Sequence, residues 1–299
     1  MRKQLQHLLE ERVQQCVSDK RNPVHHCKVI EQKKESNSKR SAEIVKAKAI
    51  GKINSKMEGE EFTEVFYSVH YQYLIKQKNQ MYIEEEVEKR KAKFYKGVLV
   101  EDFHVYPQSL DSLKTTSEDR EGGEELEERQ SYRYDRLKAV RYAERWWNDY
   151  NPAYKQFDVD CTNYISQCLH SGGAPMLGYP NRSKGWWMRS DNWSFSWSVA
   201  NSMRWYLPGA KTGLRAREVG SPEELLLGDV ICYDFQGDGR FDHTTIVTGK
   251  DGNGMPLVNA HTTNSRMRYW AYEDSTAYTT NIKYKFLTIV DDQKDGAKK

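Results

Sequence analysis

The sequence predicts an α+β protein in which a smaller domain of helix and antiparallel sheet precedes a larger domain of helices followed by an antiparallel sheet. The chain has 299 residues, which suits two domains of ordinary size. All eight tryptophans lie between Trp146 and Trp270, and the first 130 residues carry none. The spacing of apolar residues also changes from helical to strand periodicity twice along the chain.

The first domain, residues 1–110, opens with apolar residues at helical spacing, Leu5, Leu9 and Val13. Apolar and polar residues then alternate over 45–53 and 65–75, which is the period of half-buried strands. The segments 81–93 and 94–106 are expected to continue the sheet, although the charged run 84–91 also suits a helix. The pattern assigns no role to this domain.

Residues 111–131 are expected to form an acidic, flexible linker. They contain Gly122-Gly123 and a run of acidic side chains, a composition that repels itself. The second domain then spans residues 132–299.

The second domain shows helical spacing from Leu137 to Trp147, over 161–170 and over 197–207. Gly172-Gly173 and Pro208-Gly209 follow the second and third of these helices, as expected at helix ends. Strands are predicted at 230–233, 243–248, 256–261 and 281–289. Helices that precede strands are typical of an α+β domain.

Composition limits the classes of function. Lys+Arg minus Asp+Glu is 46 − 43 = +3, which does not favour nucleic-acid binding. No apolar stretch reaches the roughly 20 residues of a membrane span, and charged residues interrupt any signal peptide. The expectation is a cytoplasmic protein, for which action at a cell wall would need another export route. The five scattered cysteines suit a reducing compartment or a functional thiol.

The segment 159–169 carries the strongest chemical signal. In a helix that begins at Cys161, this residue lies on the same inward stripe as Ile165, Cys168 and Leu169. Backbone N–H groups at a helix start stabilise a thiolate, so Cys161 is the candidate nucleophile and is expected to have a lowered pKa. Its own N–H is the natural first donor to an oxyanion. A small buried cysteine is the commoner alternative, and Cys168 is assigned to it.

A thiolate nucleophile needs a base, and His243 at the start of a predicted strand is the best candidate. The following strand returns across the turn 251–254. Asn259 and His261 share one face of that strand and are expected to reach the level of His243. Either could orient the imidazole as the third group of a Cys–His–polar site.

Four motifs in order resemble the bacterial "putative amidase" domain: 160–173, 228–233, 242–244 and His261-Thr262. That domain is a papain-like group related to NlpC-type and CHAP-type cell-wall hydrolases, and the resemblance covers about residues 133–290. It implies a cysteine amidase or peptidase acting on peptidoglycan or a related peptide, with Cys161 as nucleophile and His243 as base. The third residue stays open between His261, slightly favoured, and Asn259.

Trp186 and Trp187 are the candidate substrate-binding residues, because at least one ring of an adjacent pair is expected to be exposed. The rival function is a catalytically silent module that binds cell wall or protein through its tryptophan-rich surface. No metal and no cofactor are expected, and the oligomeric state is not defined by the sequence.

Overall fold

A computed structural model describes residues 1–17, 27–106 and 131–292. The helices are α1 (Arg2–Val17), α2 (Lys28–Lys39), α3 (Arg136–Trp146), α4 (Cys161–Ser171), α5 (Phe195–Ser198) and α6 (Ala200–Gly209). The strands are β1 (Ala42–Glu58), β2 (Phe62–Gln77), β3 (Gln80–Tyr95), β4 (Val98–His104), β5 (Met188–Arg189), β6 (Asn192–Trp193), β7 (Arg215–Val219), β8 (Val230–Asp234), β9 (His243–Lys250), β10 (Pro256–Ala260), β11 (Asn264–Tyr269) and β12 (Lys283–Val290). The predicted α+β class is confirmed, with mostly antiparallel pairing. Within the described ranges, no helix is long and apolar enough to cross a membrane.

The chain divides into two compact units. The first comprises Met1–Pro107, Lys250–Leu257 and Thr263–Tyr278, and the second comprises Gln108–Gly249, Val258–Thr262 and Thr279–Lys299. The predicted linker lies outside the described residues except for Ser131.

In the first unit, antiparallel β1, β2 and β3 form a sheet against which α1 and α2 pack. Every second residue of β2 from Val65 to Ile75 is buried, as the alternation predicted. Leu9 of α1 lies so close to β1 that a Cβ on Gly51 would stand 2.9 Å from its Cδ1. Glycine therefore permits the close approach of helix and sheet at this point.

The charged run 84–91 belongs to strand β3 and forms no helix. β3 pairs with β2 on one side and with the residues Asn264–Arg266 of β11 on the other. This second pairing places part of the expected C-terminal domain in the first unit. The loop after β9 joins the same unit, where Asp251 accepts from Arg40 at 3.2 Å and Gly252 N donates to Gln77 at 2.8 Å.

A buried ionic cluster lies between α2 and β3. The Lys33 ammonium contacts Glu84 directly and stands 2.6 Å from Asp274 and 3.7 Å from Glu86. Arg268 also bonds Asp274 at 2.8 Å, and these two cations hold the pKa of the buried Asp274 carboxyl below its usual range. Burial instead raises the pKa of Glu84. The three carboxylates are close enough to bind a metal ion, but the ammonium of Lys33 already supplies the positive charge among them.

We expect Lys33→Met to destabilise the protein by about 3–5 kcal/mol, because it leaves buried carboxylates without their main cation. Urea unfolding measures this loss. Lys28→Met, at an exposed position of the same helix, is the control and should change stability by less than about 0.5 kcal/mol. Equal stability of both variants would show that Lys33 does not hold the cluster together.

The second unit packs α3, α4 and α6 on a sheet in which β8 pairs with β9 and β12, and β12 pairs with β7. Ile165, Cys168 and Leu169 of α4 are completely buried, as their helical spacing predicted. They share one core with the sheet residues Val230, Cys232, Ile246 and Leu287. This packing fixes α4, and with it the position of Cys161.

Candidate functional site

Helix α4 begins at Cys161, and its first turn is capped from a distant part of the chain. The side chain of Asp160, at the N-cap position, makes no capping hydrogen bond. The Thr262 Oγ1 instead accepts from the backbone N–H of Asp160 and from that of Cys161, both at 3.2 Å. The expected oxyanion donor, the N–H of Cys161, is therefore engaged by Thr262 in this structure.

Threonine hydroxyls surround the Cys161 thiol. Its Sγ lies 3.7 Å from Thr162 Oγ1, which lies 3.2 Å from Thr244 Oγ1 at the start of β9. The side chain is buried, with 2% of its surface exposed. Burial raises the pKa of the thiol, while hydrogen bonds from Thr162, Thr244 and Thr262 act in the opposite direction. The expected lowering of this pKa is wrong, because desolvation outweighs the favourable helix start.

The other four cysteines are free thiols, and three of them are buried. Cys168 and Cys232 are completely buried, and burial raises the pKa of both. Burial also raises the pKa of Cys16 to about 12.

His243 is the first residue of β9 and lies opposite Tyr233 of β8. Its ring centroid is 5.7 Å from that of Tyr233 and 6.1 Å from that of Phe235. The next residue, Thr244, contacts Thr162 of α4. The structure thus brings the start of β9 to the first turn of α4, and the His243 ring lies near the rings of Tyr233 and Phe235.

His261 is nearly completely buried beneath the start of α4. Its Nδ1 lies 2.9 Å from Asp160 Oδ2 and its Nε2 lies 2.7 Å from the carbonyl oxygen of Trp146. The ring stacks on Tyr164 at 3.9 Å with 9° between the planes. Both ring nitrogens of His261 are therefore engaged, one with the Asp160 carboxylate and one with the backbone.

Asn259 lies away from His243. Its Oδ1 accepts from Thr248 at 2.8 Å and its Nδ2 donates to Glu144 at 2.9 Å. Thr248 is five residues along β9 from His243, roughly 16 Å of extended strand. The expectation that Asn259 reaches the level of His243 is therefore wrong, because a shared strand face does not fix the pairing register.

Trp186 and Trp187 are both buried, so the expectation of an exposed ring in this pair is wrong. The indole N–H of Trp186 donates to Ser166 of α4 at 2.9 Å, and that of Trp187 donates to the carbonyl oxygen of Asn181 at 3.1 Å. Both rings pack into the interior and offer no open face to a ligand. Trp205 is the exposed tryptophan, and the Arg204 guanidinium lies 3.5 Å from its ring centroid.

The sequence interpretation missed Asp160, Thr162, Thr244 and Thr262 as members of the site. Each is adjacent in sequence to a residue that it did identify, Cys161, His243 or His261. Nothing in the pattern distinguishes these polar residues from ordinary capping or strand residues. The contacts depend on how β9 and the end of β10 meet α4.

The comparisons with known proteins identify a family over the second part of the chain. The family model described as "Putative amidase domain" matches residues 133–287, which include α4, β9 and the His261-Thr262 pair. No solved structure matches the chain.

Two proteins of Bacillus subtilis are similar to the chain. The uncharacterized protein YhbB is 51% identical over 297 residues, covering 96% of each chain. The uncharacterized protein YjcM is 34% identical over 140 residues, covering 44% of this chain and 31% of its own. With the family match spanning 133–287 and so close a full-length relative, the chain belongs to the family of the "Putative amidase domain".

Proposed function

We propose that the protein is a cysteine amidase of papain-like type that hydrolyses an amide bond in peptidoglycan or a related peptide, with Cys161 as the nucleophile. The observation that carries the proposal is the placement of Cys161 in the first turn of α4, among hydroxyls from α4, β9 and the end of β10. The family description supports amide hydrolysis, and a thiol is a suitable nucleophile for it. The order of a cysteine helix followed by antiparallel strands supports the papain-like type.

The raised pKa of Cys161 requires a base, because the thiol is predominantly protonated near neutral pH. In the proposed mechanism, the His243 imidazole takes the proton of the Cys161 thiol. The sulfur then adds to the carbonyl carbon, and the imidazolium returns the proton to the leaving amine. Water hydrolyses the resulting thioester, which releases the acid and restores the thiol.

The tetrahedral intermediate needs a hydrogen-bond donor for its oxyanion. The N–H of Cys161 serves this purpose when the oxyanion replaces Thr262 Oγ1 as its acceptor. The N–H of Cys161 thus has Thr262 as its acceptor before substrate binds, and the oxyanion takes the place of that acceptor during the reaction.

We propose that His261 stabilises the start of α4 and does not orient His243. Both of its ring nitrogens bond other groups, Asp160 and the carbonyl of Trp146. The contacts of Asn259 are with Thr248 and Glu144. The contacts of His261 and Asn259 therefore do not support the expected role of either residue as the third catalytic group.

A silent binding module is the second candidate, and the burial of Cys161 favours it. A thiol with 2% exposure meets a substrate only when the surrounding loops move. Turnover of a substrate by the wild-type protein distinguishes the amidase from the binding module.

We expect Cys161→Ala to abolish amine release from a peptidoglycan-derived peptide, a loss on the order of 10³-fold or more in kcat. Cys168→Ala, a buried cysteine two turns further along α4, is the matched control and should keep its activity as long as it stays folded. Circular dichroism melting checks the fold of both variants. Near wild-type turnover by Cys161→Ala would exclude the nucleophile, and a wild-type protein without turnover would favour the binding module.

We expect His261→Ala to lower the free energy of unfolding by about 1–3 kcal/mol, because it removes a buried hydrogen-bond partner of the Asp160 carboxylate. Urea unfolding of His261→Ala, Asp160→Asn and the double variant forms a double-mutant cycle, in which the two losses should not add. Unchanged stability with a strongly lowered kcat would instead support the orienting role that the sequence suggested.

A further inference from the structure

We propose that the outer edge of β1, the edge that faces away from β2, is a docking site for an extended peptide with alternating acidic and apolar side chains. The peptide adds to the sheet as a further strand beside β1. The site belongs to the first unit alone, so it is independent of the amidase mechanism.

β1 is the terminal strand of its sheet. In the described part of the chain it pairs with β2 alone, so its outer edge has no neighbouring strand. The pairing with β2 is regular from Lys46 to Ile53, between two irregularities of the register. Over this stretch every second residue directs its N–H and C=O groups away from β2. The outer edge therefore offers an uninterrupted row of backbone donors and acceptors to an added strand.

A groove of about 850 Å³ lies between β1 and α1. Its walls include the consecutive residues 47–53 of β1 and, from α1, the apolar side chains of Leu5, Leu9 and Val13. Successive strand residues face opposite sides of a sheet, so a groove in contact with all of them follows the strand along its edge. Its volume lies within the range of roughly 300–1,000 Å³ that is usual for ligand clefts.

The side chains of β1 differ in character between the two sides of the strand. Ala47, Ala49 and Ile53 pack against the apolar core of the first unit. Lys48 and Lys52 alternate with them and are exposed. A strand added at the outer edge continues both sides, so its side chains on the side of α1 should be apolar and the alternate ones should be acidic.

The lysines of this stretch have no acidic neighbour on the adjacent strand. Lys46, Lys48 and Lys52 lie opposite three uncharged residues of β2, which are Leu74, Gln72 and Ser68. Their ammonium groups form no ion pair with any residue that the structure describes. A carboxylate on an added strand would stand across from a lysine, and opposite charges in such cross-strand positions attract.

The same lysines make a second copy of this chain a poor occupant. Pairing of two β1 strands would place lysines close to lysines, and like charges in cross-strand positions repel. Lysines on an edge strand prevent such self-association in many proteins. Here they leave the edge open to a strand of opposite charge.

The test titrates the full chain with a fluorescein-labelled peptide of alternating Glu and Val, as long as the stretch 47–53. Fluorescence anisotropy measures binding, and hydrogen exchange with mass spectrometry locates it. We expect saturable binding and slower amide exchange within 46–53, because the added strand accepts hydrogen bonds from the free N–H groups of β1.

Two control peptides separate the parts of the interaction. A peptide with Gln in place of Glu removes the charge, and a Glu-Val peptide that is N-methylated throughout cannot donate backbone hydrogen bonds. We expect both to bind at least roughly ten-fold more weakly than the acidic peptide.

Matched protein variants test the lysines. Lys48→Gln with Lys52→Gln should weaken binding of the acidic peptide by about five-fold or more. Lys76→Gln with Lys89→Gln removes the same charge from exposed positions on β2 and β3, and should weaken binding by less than about two-fold because the added strand does not reach them. Circular dichroism melting checks the fold of both double variants.

Several results would overturn the proposal. These are the absence of saturable binding, equal binding of the Gln peptide, equal losses in the two double variants, and slower exchange at a different segment. A concentration-dependent dimer that itself protects 46–53 would also overturn it, because a second copy would then occupy the edge. Binding is measured without turnover, so these results leave the amidase mechanism to its own test.

Discussion

The buried pair of Asp160 and His261 is the interaction on which the candidate site depends. It joins the residue before α4 to the end of β10 through a 2.9 Å hydrogen bond between a carboxylate and an imidazole. Removing one member leaves the other with a buried polar atom that has lost its partner. The pair places Thr262 within hydrogen-bonding distance of the first backbone N–H groups of α4, and these bonds hold Cys161 in position.

The environment of Cys161 combines two opposing physical effects. A helix start and nearby hydroxyl donors favour the thiolate, whereas the removal of water favours the thiol. Burial is the larger effect in the resting structure, so the protein keeps its thiol protonated and well protected. In the proposed enzyme, this protection limits reaction to conditions in which a base and a substrate reach the sulfur together.

Much of the fold could be predicted from the sequence, because helices and strands of this chain follow hydrophobic periodicity closely. The start of α4 at Cys161 and the strand at His243 are examples. The pairing of β11 with β3 could not be predicted, since it joins segments nearly 180 residues apart and depends on tertiary packing. The same limit applies to the register of Asn259 and to the burial of Trp186. Each depends on neighbours that no local pattern identifies. The pKa of Cys161 was mispredicted for a related reason, because a helix terminus can be read from sequence and its burial cannot.

The proposed mechanism requires a covalent bond between Cys161 and the acyl part of the substrate. Acid quenching during turnover of a short peptide p-nitroanilide, followed by mass spectrometry of the digested protein, tests it directly. We expect a thioester on the Cys161 peptide that is absent from the Cys168 peptide and disappears as substrate is exhausted. Release of nitroaniline with the acyl group found on a different residue would contradict it.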